Sequence, residues 1–214
     1  MPQNDLIQSR IAQGFEYRNL ILNVRAQTQD DERMIVEGYA TTFNQPYELC
    51  SYGNRTVLEQ VDSRAFDECD MSDVIMQYDH QGRVFARTRN NTLEIRIDSK
   101  GLYIVADLGG TEEGRKLYQE IKDGYTDRMS FGFVVGEDSR TYTEDHETGA
   151  ETVVRTILKI TRLYDVSAVS VPANDMTSIS ARSLADGLFS GLAEEARLTE
   201  RRKMLKLKLL LEGF

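Results

Sequence analysis

The sequence predicts an α+β protein: mainly antiparallel strands closing into a β-barrel, with a few flanking helices and a C-terminal helical tail. Three observations predict it. Short segments in which apolar and polar side chains alternate recur between residues 16 and 171, separated by turn-forming residues. Within that range only short stretches around 63–69 and 112–122 carry helical signals. From Ser183 onward leucine recurs at helical spacing amid clustered Lys and Arg. Many short strands with few helices suit a closed or nearly closed barrel.

Taken in order, residues 1–15 are polar and are expected to be a flexible N-terminus, and residues 16–182 the β-barrel domain. Residues 16–26 and 32–43 read as strands flanking the polar turn Gln27-Thr28-Gln29-Asp30-Asp31. Residues 46–56 read as a loop, and Asp62 or Ser63 caps a short helix over 63–69. Strands are expected at 74–78, 83–88, 93–98 and 102–108, the last two forming a hairpin through Asp98-Ser99-Lys100-Gly101. Thr111 caps a helix over 112–122 whose first turn is acidic, and Gly124 stands where a helix-ending glycine belongs. A strand runs from Arg128 to about Tyr142, a polar loop covers 143–149, and a long strand region extends over 153–171. Residues 183–214 form the amphipathic, basic tail, jointed at Gly187 and Gly191, with Arg201, Arg202, Lys203, Lys206 and Lys208 on it.

Bulk properties exclude several classes. A net charge of -9 argues against general binding to nucleic acid, whose phosphates need clustered cations. No apolar run is long enough to span a membrane. The opening Met1-Pro2-Gln3-Asn4-Asp5 lacks the pattern of a secretion signal, so a cytosolic setting and reduced Cys50 and Cys69 are expected. Neither a metal-ligand spacing nor a phosphate-binding glycine loop occurs, and no cofactor is expected.

Within Arg128-Met129-Ser130-Phe131-Gly132-Phe133-Val134-Val135-Gly136, alternation puts Met129, Phe131, Phe133 and Val135 on one strand face and Ser130, Gly132 and Val134 on the other. A serine on a stiff strand beside a glycine that admits close approach is a candidate nucleophile, though most strand serines are only small polar residues. His80 follows a strand in Tyr78-Asp79-His80-Gln81-Gly82; on the residues alone, a surface histidine at a turn is the simpler account. His146, in an acidic loop, reads as solvent-exposed. Asp165 shares a strand face with Leu163, Ser167 and Val169, so its carboxylate needs a partner. An arginine and a catalytic histidine are equally good candidates.

The ordered set of motifs resembles the prohead (capsid maturation) proteases of tailed phages, a serine protease family related to the herpesvirus assemblins. The matching pieces are Glu37-Gly38-Tyr39-Ala40 with Phe43-Asn44, Arg64-Ala65-Phe66-Asp67, Asp79-His80, Leu93-Glu94-Ile95, Met129-Ser130-Phe131-Gly132-Phe133, and Asp165-Val166-Ser167-Ala168-Val169 closing on Pro172-Ala173-Asn174. Arg64 departs from the family's usual glycine, and Ala86 stands near another. The resemblance implies an assemblin-like fold with Ser130 as nucleophile, His80 as general base and Asp165 orienting the imidazole. It also implies an endopeptidase inside the assembling prohead, in the host-cell cytoplasm. Its substrates would be the scaffolding segment of the major capsid protein, the scaffold protein and its own tail. Self-association as a homodimer is a further implication; binding to nucleic acid or membrane is not expected. The competing reading is a catalytically inactive assembly component of the same fold.

Overall fold

A computed structural model describes residues 14–20, 25–27, 33–169 and 174–211. The strands are β1 (Phe15–Leu20), β2 (Arg25–Gln27), β3 (Ile35–Thr42), β4 (Tyr47–Tyr52), β5 (Arg55–Val61), β6 (Ile75–Tyr78), β7 (Gln81–Arg87), β8 (Leu93–Ile97), β9 (Gly101–Asp107), β10 (Arg128–Asp145) and β11 (Ala150–Val169). The helices are α1 (Glu112–Lys122) and α2 (Asn174–Leu211). The chain divides into two compact units. One comprises Met1–Gln45, Val61–Asp138 and Ile157–Asn174; the other comprises Pro46–Gln60, Ser139–Thr156 and Asp175–Phe214.

The first unit holds two sheets. One is antiparallel throughout, in the order β2-β3-β9-β8. Its β8–β9 hairpin closes as expected: Asp98 Oδ1 accepts from the backbone N–H of Lys100 at 2.7 Å and of Gly101 at 2.9 Å. In the other, β1 pairs with β10, β10 neighbours β11, and β6 joins β11 while pairing with β7. The β6–β11 pair is parallel, with Asp165 opposite Ile75 and Ala168 opposite Tyr78. The fold is therefore mostly β and of the α+β kind, but its sheet is mixed, and the expected closed antiparallel barrel is corrected. Alternation reports which face of a strand is buried; it carries no information about partner or direction. A parallel pair needs a long crossover, and here everything from β7 to β10 lies between the two strands.

Phe131 and Phe133 stack at 4.5 Å on one face of β10 and join Met129, Met76, Ile104, Leu163 and Val166 in the core of this unit. Helix α1 matches its expected bounds. The Thr111 hydroxyl accepts from Gly114 N–H at 3.0 Å, and Leu117, Tyr118 and Ile121 are buried. No helix forms over 63–69. Backbone bonds run from Ala65 N–H to Asp62, Asp67 to Arg64 and Cys69 to Phe66, a succession of four-residue turns. A segment of under two turns cannot offset helix nucleation when Ala65 and Phe66 are already held by burial. Neither Arg64 nor Ala86 has a positive φ, so neither position requires the glycine that the resemblance leads one to expect.

The expected strand over 16–26 is two strands in different sheets, β1 and β2. Residues 1–13, most of the Gln27–Asp31 turn and residues 170–173, with Pro172 and Ala173, lie outside the described residues.

In the second unit, residues 46–56 are not a loop. They contribute β4 and the start of β5, which pair across a two-residue turn at Gly53 and Asn54. Val57, Val153, Leu188 and Phe189 form its apolar cluster, with Arg55 over the Phe189 ring at 5.0 Å. The helix expected from Ser183 begins at Asn174 and runs unbroken through Gly187 and Gly191.

In the same unit a buried ion pair joins Arg155 Nη1 to Glu59 Oε2 at 3.0 Å, and the Tyr47 hydroxyl donates to Glu59 Oε1 at 2.5 Å. Glu59 is 0% and Arg155 3% exposed. Removing one member leaves the other charge in a low dielectric. Arg155→Met is expected to lower unfolding free energy by about 3–5 kcal/mol in urea titration. A loss below about 1 kcal/mol would mean that the carboxylate is compensated elsewhere.

Candidate active site

Every side chain of the candidate site comes from the first unit. Ser130 lies on β10, opposite Asn19 of β1. Both faces of β10 are buried here, which fixes the serine rotamer and removes the hydroxyl from water; Ser130 is 0% exposed.

His80 occupies the second position of the two-residue turn between β6 and β7. Asp79 has φ 48° and His80 φ 57°, the positive pair that a tight primed hairpin turn requires. Asp and His enter this left-handed region more readily than most residues, at a cost of about 1 kcal/mol or more each. The Asp79 N–H donates to Ala168 O at 3.0 Å, tying the turn to β11. His80 is thus a turn histidine, as its sequence context suggested, but only 9% exposed.

Asp165 and Ser167 stand two residues apart on one face of β11, both buried. His80 Nδ1 lies 2.5 Å from Asp165 Oδ1, and His80 Nε2 is hydrogen-bonded to Ser130 Oγ. Segments separated by 50 and 85 positions therefore meet in one path from carboxylate through imidazole to hydroxyl. With its Nδ1–H donated to the carboxylate, a neutral imidazole presents the Nε2 lone pair to Ser130. That arrangement can take a proton from the hydroxyl and hold the resulting imidazolium beside a negative charge. The partner of Asp165 is the histidine rather than an arginine.

Two contributors had not been singled out from sequence. The Ser167 hydroxyl donates to Asp165 Oδ1 at 3.0 Å and lies 3.2 Å from His80 Nδ1, so it helps to hold the carboxylate in register with the ring. Its signal was its place on the Asp165 face. Tyr17 of β1 packs its ring 4.5 Å from the imidazole; nothing in the sequence marks it.

Gly132 does serve close approach, but of side chains rather than another backbone. A Cβ there would stand 2.5 Å from Asp165 Oδ2 and 2.7 Å from Tyr17 Cε1. Gly132→Ala must therefore displace the carboxylate or the ring. About a hundredfold loss of any hydrolytic activity is expected, the usual consequence of a displacement near 1 Å among reacting groups. Urea titration should show a destabilisation of about 1–3 kcal/mol from overpacking. An alanine variant with the parent's rate would mean that the site tolerates the shift.

His146 is exposed in the turn at 146–149 and belongs to the other unit. Burial pushes the Cys69 thiol up to about 11, which leaves it protonated at neutral pH and a poor nucleophile. Both cysteines are free thiols. Among the described residues no group of three His, Cys, Asp or Glu could hold a metal ion, and no helix is long and apolar enough to cross a membrane.

A serine, a histidine and an aspartate joined in this order on a β scaffold is the arrangement used by serine hydrolases of several unrelated folds. A sequence model of the family described as caudovirus prohead serine protease matches residues 21–188, and the chain belongs to that family. Among solved structures, the capsid assembly protease of bacteriophage T4, gp21, is similar with 13% identity and a TM-score of 0.37, over 74% of this chain and 98% of that one. No curated protein sequence matches significantly.

Proposed function

We propose that this protein is the prohead serine endopeptidase of a tailed phage, acting through an acyl-enzyme with Ser130 as nucleophile, His80 as general base and Asp165 as the group that orients and stabilises the imidazole. The observation that carries the reading is the continuous buried path from Asp165 through His80 to Ser130. Ser130 Oγ attacks the scissile carbonyl carbon as its proton passes to His80 Nε2. His80 then returns that proton to the departing amine, and water repeats the sequence on the acyl group. The substrates are the scaffolding segment of the major capsid protein, the scaffold protein and the protease's own tail, cut inside the assembling prohead. Residues 16–182 form the catalytic part. Residues 183–214 form the tail that docks to scaffold or shell, where Met204, Leu205 and Leu207 are exposed beside Lys208.

Co-expression with the capsid and scaffold proteins, followed by mass spectrometry of the products, tests this. The parent chain is expected to shorten capsid protein, scaffold and its own tail, and Ser130→Ala to leave all three at full length. A parent chain that cuts none of them would favour the inactive assembly component. Cleavage that persists in Ser130→Ala would remove this serine from the mechanism.

A further inference from the structure

The same geometry that arms Ser130 also closes it off. Besides its bond to His80, Ser130 Oγ lies 2.9 Å from the backbone carbonyl oxygen of Arg18, to which it is placed to donate. A hydroxyl has one proton. If it goes to the Arg18 carbonyl, it is not aimed at Nε2, and the imidazole cannot act as its base. The hydroxyl also meets the carbonyl through that group's oxygen, the atom that must point away from an attacking nucleophile. Strand β1 thus lies against the site in a non-productive pose.

The manner of seating suggests what belongs there. Phe15–Leu20 runs antiparallel to β10 in unbroken register, from Phe15 opposite Val134 to Leu20 opposite Met129. Tyr17 reaches over Gly132 to the imidazole, and Phe15 stacks on Tyr164 at 4.1 Å. An extended peptide added to a sheet edge is held by main-chain bonds, with alternate side chains in pockets. Among the described residues β1 pairs with no strand but β10, at the end of its sheet, so it can leave without unthreading any other of them. It also precedes the segment that matches the family.

We propose that the edge of β10 beside Ser130 is the peptide-binding site of this protein, taking an extended substrate segment as an added antiparallel strand, and that residues 15–20 are its resident occupant in the resting chain. The inference rests on the protease reading above. Because Ser130 is 0% exposed with β1 in place, catalysis on another chain requires β1 to leave, and the observed rate scales with the fraction of molecules in which it has left. The incoming segment competes with β1 for the same edge, so a high local concentration of substrate promotes activation.

The test reads the reactivity of Ser130 directly with a fluorophosphonate, which forms an Oγ–P bond as fluoride leaves. Two forms of the full chain are compared, the parent and Tyr17→Pro/Arg18→Pro. Neighbouring residues of a strand point their N–H groups to opposite sides, so one of the two prolines removes a donor from the β1–β10 ladder. Labelling of Ser130 is expected to be about tenfold faster in the variant, the effect of weakening one paired strand by one ladder bond. In the parent it should rise with urea well below the unfolding transition. The urea series needs no substitution, so it decides the matter even if the variant does not fold. Equal rates in both forms, or a parent rate that stays flat until global unfolding, overturn the resident strand and leave the protease reading standing. A chain found cut between Arg18 and Asn19 overturns it too, because β1 would then be a substrate in a productive pose. Absence of Ser130 labelling in every folded form would sink the protease reading, and this inference with it.

Discussion

His80→Ala is expected to lower the rate of capsid-protein cleavage by about 10⁶-fold, and adding Ser130→Ala should cost almost nothing more. The reason lies in the single path through the ring. Among the described residues His80 is the only side chain hydrogen-bonded to both Ser130 Oγ and Asp165 Oδ1, and Ser167 reaches the carboxylate without reaching the hydroxyl. Removing the ring leaves a neutral serine whose remaining acceptor among the described residues is the Arg18 carbonyl, which is far too weak a base to help. Removing both partners then removes one function, not two, so the losses do not add. Cleavage rates of the two single variants and the double variant, measured on the same capsid substrate, check this. A double variant slower than either single by a further factor of about 100 or more would mean that serine and histidine act independently. The alanine also leaves a space beside Tyr17, so the unfolding midpoint should be followed in parallel; a fall in rate without loss of fold identifies a chemical role.

How far the site could be read from the chain depends on what each residue's signal encodes. The alternation around Ser130 was legible because burying both faces of β10 demands large residues on one side and small ones on the other. Asp165 was legible as a carboxylate that needs a partner, since it shares its strand face with largely apolar residues. The partner's identity was not, because a strand's own sequence does not say what crosses it. His80 illustrates the limit most clearly. Its turn was visible from Asp79-His80-Gln81-Gly82, but its burial depends on β6 lying parallel to β11, a long-range pairing with no local signature. The same holds for β4 and β5: their alternation was masked by Gly53 and Asn54, and the hairpin declares itself only through its register. Strand β1 is the extreme case. Tyr17 and Arg18 look like ordinary strand residues, and only the register with β10 puts one against the imidazole and the other's carbonyl on the Ser130 hydroxyl.

Asp165→Asn is expected to keep the fold and to lower the cleavage rate by about 10⁴-fold, the size of the loss when a triad carboxylate becomes an amide. The two side chains have nearly the same shape, so the close packing against Gly132 should survive. What changes is the sign of the hydrogen bonding. Asp165 Oδ1 now receives from both His80 Nδ1 and Ser167 Oγ. An asparagine has one oxygen and one amide nitrogen for these positions. If the nitrogen faces the ring, Nδ1 must accept, the proton moves to Nε2, and the imidazole becomes a donor toward Ser130 instead of its base. If the oxygen faces the ring, the tautomer is kept but the negative charge that stabilises the imidazolium is gone. Ser167 can rotate its hydroxyl to serve either case, so it does not protect against the wrong one. Both outcomes slow the chemical step, and neither requires a change in substrate binding. The rate constant under saturating substrate should therefore fall, while the half-saturating concentration stays within a few fold. An asparagine variant that retains more than about a tenth of the parent rate would show that the carboxylate merely packs beside the ring.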